Sequence, residues 1–366
     1  MQNVRFVGLD VHKDTISIAV ADQDGSAPQV VATVPHELRA LLKQLKKLAA
    51  TGRLRCCYEA GPTGFGLCRA LRAAGFDCIV IAPSLVPKKA GDRVKTDRRD
   101  AMKLARYLRS GDLTEVHVPD EQTEAMRDLE RAREDARRAV TAARQVLSKF
   151  LLRHGCRYSG TTWTHKHLDW VRSLHFEFDA QQRVIVSYLR AVEQAQQRVA
   201  ELTQDISELV ETWCLKPLVQ RLQALRGVKL VTAVTIAAEL AEMSRFATAP
   251  QLMAYVGLVP SEYSTGGTIT RGAITRTGNQ HARKTLIEAA WSYRFHPAMS
   301  EEITRRNRGL PSNVTDIAWK AQVRLHRRYK RLQSRGKSKQ LTITAVAREL
   351  VGFVWAIARQ PVSDAA

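Results

Sequence analysis

Residues 4–34 read "VRFVGLDVHKDTISIAVADQDGSAPQVVATV". Short runs rich in Val, Ile and Ala, interrupted by "HKD" and by the turn-like "DQDG", spell three strands joined as a meander. Asp10 stands at the end of the first run, inside an otherwise apolar stretch. A carboxylate on such a strand is costly to bury unless it has a cation, a hydrogen-bond donor or a solvent-open position.

Downstream the rhythm alternates. "HELRALLKQLKKLAATG" (36–52) is an amphipathic helix closed by Gly52, and "LRCCYE" (54–59) is a strand ending in Glu59. "TGFGLCRALRAAG" (63–75) follows as a helix and "DCIVIAP" (77–83) as a strand. Three strands and then alternating helix and strand fit a ribonuclease-H-like α/β layer, a mixed sheet with helices on both faces.

From about residue 120 long helices take over. Met126, Leu129, Ala136, Ala139, Ala143, Val146 and Phe150 recur at helical spacing, as do Ile185, Tyr188, Val192, Ala195, Val199, Leu202, Ile206 and Leu209. The second stripe keeps a 3.5-residue period, which predicts a coiled coil, either a hairpin within one chain or a seam between two. The polar stretch "RYSGTTWTHKH" (157–167) reads as the bend between them. After "WCLKP", residues 218–246 read as two helices turning at Gly227. They resemble a helix-hairpin-helix in which Lys229 takes the second glycine's place and becomes a candidate phosphate contact. The expected organisation is an α/β catalytic domain at 1–118, a helical coiled-coil or dimerisation segment at 119–213, and a mainly helical C-terminal domain at 214–366.

Lys and Arg number 57 against 36 Asp and Glu, giving a net charge of +21. A positive field of this size points to nucleic acid as the partner, with an acidic membrane surface as the weaker alternative. Nine bases and no acid lie between Lys320 and Lys339, with Arg327 and Arg328 at the centre of the run. Six cysteines lack zinc-site spacing and read as reduced, buried thiols. The N-terminus lacks the apolar core of a signal peptide, and no run of 18 uninterrupted apolar residues occurs, so the expected location is the cytoplasm.

Residues 91–105, "GDRVKTDRRDAMKLA", set Asp97 and Asp100 one helical turn apart among bases. Alone, the pair reads first as first-turn acids behind a Thr96 cap and only second as metal ligands. In a ribonuclease-H-like layer, however, acids from the first strand, the fourth strand and a later helix meet over the sheet. Asp10, Glu59, Asp97 and Asp100 then form a set of oxygen ligands suited to Mg²⁺ or Mn²⁺, since two such ions need carboxylates on several sides. Lys88, Lys89, Arg93, Lys95, Arg98 and Arg99 flank the helix as candidate phosphate contacts, while Asp14 and Asp92 read as surface acids and His12 as a surface neighbour of the site.

A second cluster lies at 257–290, "GLVPSEYSTGGTITRGAITRTGNQHARKTLIEAA". Gly266 and Gly267 permit close backbone approach, Arg271 and Arg276 suit a phosphate, and Ser264 offers a hydroxyl without an obvious local base. On spacing alone this is also an ordinary β-hairpin loop.

Taken in order, "GLDVHKD", "YEAGPTG", "PSLVPKKAGDRVKTDRRDA", "LRGVKLVTAVTIAAEL", "YVGLVPSEYSTGG" and "ITRTGNQHARKTL" resemble the DEDD transposases of the IS110 insertion-sequence family. "EYSTGG" is similar to its IS1111-like branch. The resemblance implies a RuvC-like first domain with its metal site on Asp10, Glu59, Asp97 and Asp100, and a nucleophilic serine that falls on Ser264. It further implies a non-coding guide RNA encoded by the element, donor and target DNA as partners, and homodimers that join into a homotetramer. At Thr275 this chain has "ITR" where many relatives have "ISK", and that hydroxyl receives no role. The rival enzyme reading is a Holliday-junction-type nuclease in which metal-activated water attacks. A non-enzymatic nucleic-acid-binding protein would need none of the four acids for activity.

Overall fold

The structure, a computed structural model, describes residues 3–87 and 96–361. It divides into two compact units, Met1–Val118 and Pro119–Ala366. The first is a mixed β-sheet domain and the second is mainly helical.

In the first unit, β1 (Val4–Val11), β2 (Thr15–Ala21) and β3 (Gln29–Pro35) form an antiparallel meander. Helix α1 (Leu38–Ala49) returns the chain to β4 (Arg53–Glu59), which pairs with β1 in parallel, and α2 (Gly66–Ala73) leads to β5 (Asp77–Ile81), parallel to β4. Helix α3 (Asp97–Ser110) is followed by the two-residue β6 (Glu115–Val116), antiparallel to β5, so the sheet order is β3-β2-β1-β4-β5-β6.

Strand alternation sorts the side chains onto two faces. Val7, Leu9, Ile16, Ile18, Cys56, Tyr58 and Val80 pack with Leu41, Leu45 and Leu71 of α1 and α2. The opposite face is built for close approach: Ala19 and Ala21 meet Ala101 and Ala105 of α3, and Cys57, Ile79 and Ile81 meet Leu104 and Leu108. Gly8 lies directly beneath α3. A Cβ there would come within 2.2 Å of the Ala101 carbonyl oxygen and 2.4 Å of the Ala105 nitrogen.

The second unit opens with α4 (Glu121–Arg153), α5 (His165–Ser173) and α6 (Asp179–Leu209). Helices α4 and α6 pack against one another as a hairpin within the chain. Its buried stripe differs locally from the expected one. Val146 and Leu209 are exposed, and Leu147 and Val210 take the inward positions one residue later. The expected bend is also more than a bend: residues 165–173 form α5, whose His167 and Trp170 cluster with the Tyr158 and Trp163 rings, and Arg144 stacks on Trp163.

Beyond the hairpin come α7 (Lys216–Leu222), α8 (Leu230–Leu240), α9 (Ala249–Tyr255), a hairpin of β7 (Pro260–Thr265) and β8 (Thr268–Ile274), and then α10 (Gln280–Ala290), α11 (Glu301–Asn307), α12 (Ser312–Ser334) and α13 (Lys339–Ala358). Leu222, Val234, Ile236, Leu286, Leu325, Val346, Leu350 and Val354 form its shared core. By length and composition α13 is the one described helix apolar enough to cross a membrane. Its Ile343, Val346, Leu350, Val351, Val354 and Ile357 are buried in this core. Cys56, Cys57, Cys68 and Cys78 are buried free thiols, but Cys156 is only half-buried and Cys214 is exposed, a correction to the uniform burial expected from their apolar neighbours.

Candidate active site

The face of Gly8 is the face of Asp10, because side chains two apart on a strand point the same way. By the same parity Glu59 shares the face of Cys57, and the β1–β4 register, ending at Leu9 opposite Tyr58, places Asp10 and Glu59 one residue further along neighbouring strands. Above them α3 begins. Thr96 is its N-cap, its hydroxyl accepting a hydrogen bond from the Arg99 amide at 3.4 Å, and Asp97 and Asp100 occupy the first turn. Capping and site formation are therefore compatible: the cap fixes where the helix starts, and the start aims both carboxylates over β1.

Asp10 Oδ2 lies 3.1 Å from His12 Nε2, and the same nitrogen is 3.4 Å from Asp97 Oδ1. The ligand atoms of all three residues fall within 4.8 Å of one another. Asp100 faces Lys103, with Nζ at 3.4 Å. Burial pushes the Asp10 carboxyl above its ordinary value; His12 pulls it back, and the charges of Asp100 and Asp97 raise it further. A carboxyl whose ionisation is disfavoured by burial and neighbouring carboxylates is a setting that a divalent cation relieves, and the hard oxygen donors suit one. His12 is exposed and borders the site, as expected. The tight turn after β1, in which the His12 amide bonds to the Thr15 carbonyl at 2.9 Å, is what brings its ring back over Asp10.

A second group of donors, Glu130, Glu239 and His281, also lies within 4.8 Å. Here the negative charge is already matched. Arg131 forks onto Glu239 at 2.8 and 3.0 Å, Asn279 Nδ2 donates to it at 2.7 Å, and His281 Nε2 sits 2.6 Å from Glu130. This network joins α4, α8 and the start of α10, a few residues beyond the β7–β8 hairpin. Asn279 caps α10 through the Ala282 amide at 2.9 Å while holding Glu239 of α8, and His281 ties α10 to α4. At the hairpin base two loops cross backbone on backbone. A Cβ at Gly278 would meet the Tyr255 carbonyl oxygen at 1.8 Å, and one at Gly257 would meet that of Thr277 at 2.2 Å.

Ser264 is exposed on β7, two residues before the Gly266–Gly267 turn. Its hydroxyl donates to Glu262 Oε1 at 2.8 Å, and Arg271 of β8 approaches Glu262 Oε2 at 3.4 Å. The hydrogen bonds from Ser264 and Arg271 hold the Glu262 carboxyl below its ordinary range. A carboxylate thus stands beside the Ser264 hydroxyl on the same strand face, at the two-residue spacing that a strand reading of "SEYST" makes visible.

The expected nucleic-acid contacts scatter. Lys88, Lys89, Arg93 and Lys95 lie outside the described residues, whereas Arg98 and Arg99 are exposed on the first turn of α3. Lys229 precedes α8 with its ammonium 2.9 Å from Glu302. Arg276 follows β8 with a left-handed backbone (φ 57°). Arg327 is exposed on α12, and half-buried Arg328 lies 3.2 Å from Glu349.

A mixed sheet of this order, with acids from its first and fourth strands and from a helix crossing one face, defines a RuvC-like domain of the class that acts on phosphodiesters with metal ions. Comparison with known sequences narrows the class. The DEDD transposase pattern of IS110 matches residues 7–155, and that of the transposases of the IS116/IS110/IS902 family matches residues 219–304. A putative transposase, y4qE, of Sinorhizobium fredii is 46% identical over 97% of this chain and 88% of its own length. The transposase of insertion sequence element IS1533 of Leptospira borgpetersenii is 33% identical over 92% and 99%. That of IS1111A of Coxiella burnetii is 35% identical over 19% of this chain and 20% of its own length. The chain belongs to the IS110/IS902 family of DEDD transposases, enzymes of DNA strand cleavage and transfer.

Proposed function

We propose that this transposase cuts and rejoins the strands of an insertion sequence through a covalent phosphoserine intermediate on Ser264, guided by a non-coding RNA from the same element. The observation that carries the chemistry is the exposed Ser264 hydroxyl, already hydrogen-bonded to an ionised carboxylate on the β7–β8 hairpin. Ser264 Oγ attacks phosphorus, its proton passing to Glu262. The new Oγ–P bond replaces the P–O3′ bond, and the 3′ oxygen leaves and takes up a proton. Because the phosphate ester energy is retained on serine, the reverse reaction with another 3′ hydroxyl rejoins strands without a nucleotide cofactor. Arg271 and Arg276 hold the phosphate.

Asp10, Glu59, Asp97 and Asp100 would hold Mg²⁺ or Mn²⁺, which when bound offsets charge on the phosphate oxygens and leaving group. The serine and the acids lie in different units, so the reaction requires the hairpin to be delivered to a RuvC-like domain of the same or another chain. The α4–α6 hairpin joins copies of the chain into a dimer, and dimers into a tetramer, in the cytoplasm.

Incubation with Mg²⁺, the element RNA and labelled junction DNA, followed by a denaturing gel, tests the reading. A covalent protein–DNA band that vanishes in Ser264→Ala is expected. Cleavage without such a band, equally fast in the mutant and leaving a free 5′ phosphate, would favour the junction nuclease. Full activity in Asp97→Asn would remove both enzyme readings.

A further inference from the structure

Six tryptophans occur in the chain, and Trp319, on α12, is the exposed one, with 42% of its surface open. No ring or guanidinium among the described residues stacks on it. It opens a groove of about 740 Å³ between α12 and α13, whose lining includes Lys320, Arg324, Arg327, Arg331 and Phe353. The α12 residues recur every three to four positions, so they form one stripe on one helix face. At the groove floor Glu349 pairs with Arg324 at 2.9 Å and Arg328 at 3.2 Å. Lys320, Arg327 and Arg331 have no carboxylate partner among the described residues.

We propose that this groove binds an unpaired DNA strand, with one base stacked on the Trp319 ring and phosphates tracked by Lys320, Arg327 and Arg331. An exposed indole is a stacking platform only for a base whose face is free, and in a duplex each face is covered by its neighbours. The basic stripe supplies the other half of a single-strand site, a line of charge along the backbone. From Trp319 to Arg331 the helix rises roughly 18 Å, about five stacked nucleotides at ~3.4 Å each. DNA is the strand in question because strand cleavage and transfer, the activity of this family, frees single strands beside each cut. The inference rests on that activity and not on the identity of the nucleophile.

Fluorescence anisotropy of full-length protein with labelled oligothymidine, a matched duplex and the corresponding RNA, over a salt series, tests it. Trp319→Ala is expected to weaken single-strand binding about 5- to 100-fold with the salt slope and duplex affinity kept, whereas Trp319→Phe retains affinity within a few fold. Arg327→Gln with Arg331→Gln is expected to flatten the slope of log K against log salt by about 1.4. Wild-type affinity in Trp319→Ala, an equal loss on the duplex, or a loss confined to RNA overturns the proposal. A change of mass by light scattering with unchanged DNA affinity does so too, and marks Trp319 as a protein contact. Absence of nucleic-acid binding by the wild type itself would instead count against the transposase reading.

Discussion

Asp10 is held in a half-buried position against its own electrostatics. Burial and the charges of Asp97 and Asp100 oppose its ionisation, and His12 favours it. Sites assembled for binding commonly cost the empty protein stability. Asp10→Asn is therefore expected to raise the melting temperature of metal-free protein at neutral pH, to lack the further rise expected of the wild type on adding Mg²⁺, and to reduce strand cleavage on the order of 10²-fold or more. Scanning calorimetry with and without Mg²⁺ checks the first two; a metal-free mutant less stable than wild type would show that Asp10 is a structural ion-pair partner. The places of the four acids, on two strands and in the first turn of a helix, were legible because apolar strands make an acid conspicuous and because a Thr cap marks a helix start. His12 and Glu262 were not singled out. One acts through a turn that folds back on the strand, and the other through strand alternation in a stretch whose Ser, Thr and Gly content also suits an irregular loop.

Helix α3 can present Asp97 and Asp100 over β1 only because its backbone rests on Gly8 without an intervening side chain. Overpacking a tight interface costs typically about 1–3 kcal/mol, and here the atoms in the way are backbone, which cannot rotate aside. Gly8→Ala is expected to destabilise the first unit by at least that much and to weaken Mg²⁺ binding by lifting α3, measured by denaturant unfolding and metal titration. A stable variant with unchanged metal affinity would mean α3 is not the lever. At α10 the relevant contact is an ion pair. The His281 side chain is held above its ordinary value of 6.5 by its bond to Glu130, against burial, with Glu239 adding to and Arg131 subtracting from the effect. A raised folded value means its stabilisation is complete below about pH 6.5 and is lost as pH rises through the folded value. His281→Ala, which leaves Glu130 buried with Thr235 as its remaining partner, should cost about 3 kcal/mol at pH 6 and measurably less at pH 9. A pH-independent deficit would assign the loss to packing. These contacts join residues 40 to 151 positions apart, which is why helical periodicity located α4, α8 and α10 yet gave no sign of the network between them. Periodicity also placed Val146 inward where Leu147 sits, since a stripe drifts by about one residue over several turns of a 3.6-residue helix.

On the scale of the whole molecule the α4–α6 hairpin is an excursion that returns. Helix α4 has 33 residues, roughly 50 Å at 1.5 Å each. Its start and the end of α6 meet again where the Gln122 side chain donates to the Thr212 carbonyl at 3.3 Å and accepts from the Cys214 amide at 3.3 Å. The base of the hairpin, through Met126, Ile206 and Val210, belongs to the main core of the second unit. The far end has a core of its own, in which Leu147, Phe150, Leu151, Val171, Ile185 and Val192 share no residue with the main one. A helical pair that leaves a core and comes back contributes little to holding that core, so its length is explained by what it reaches. In the reading advanced above, that is a second copy of the chain. Excising residues 141–195 and closing the gap with a short Gly-Ser turn is then expected to leave the melting transitions of both units within a few degrees of wild type. Light scattering should show the mass falling to a single chain, and strand transfer should be lost while strong, salt-sensitive DNA binding persists. That residual binding follows from the +21 charge, most of which lies outside the excised segment. If the shortened protein keeps its wild-type mass, the seam lies elsewhere and the arm must serve the nucleic acid; if it fails to melt cooperatively, the two cores are one folding unit.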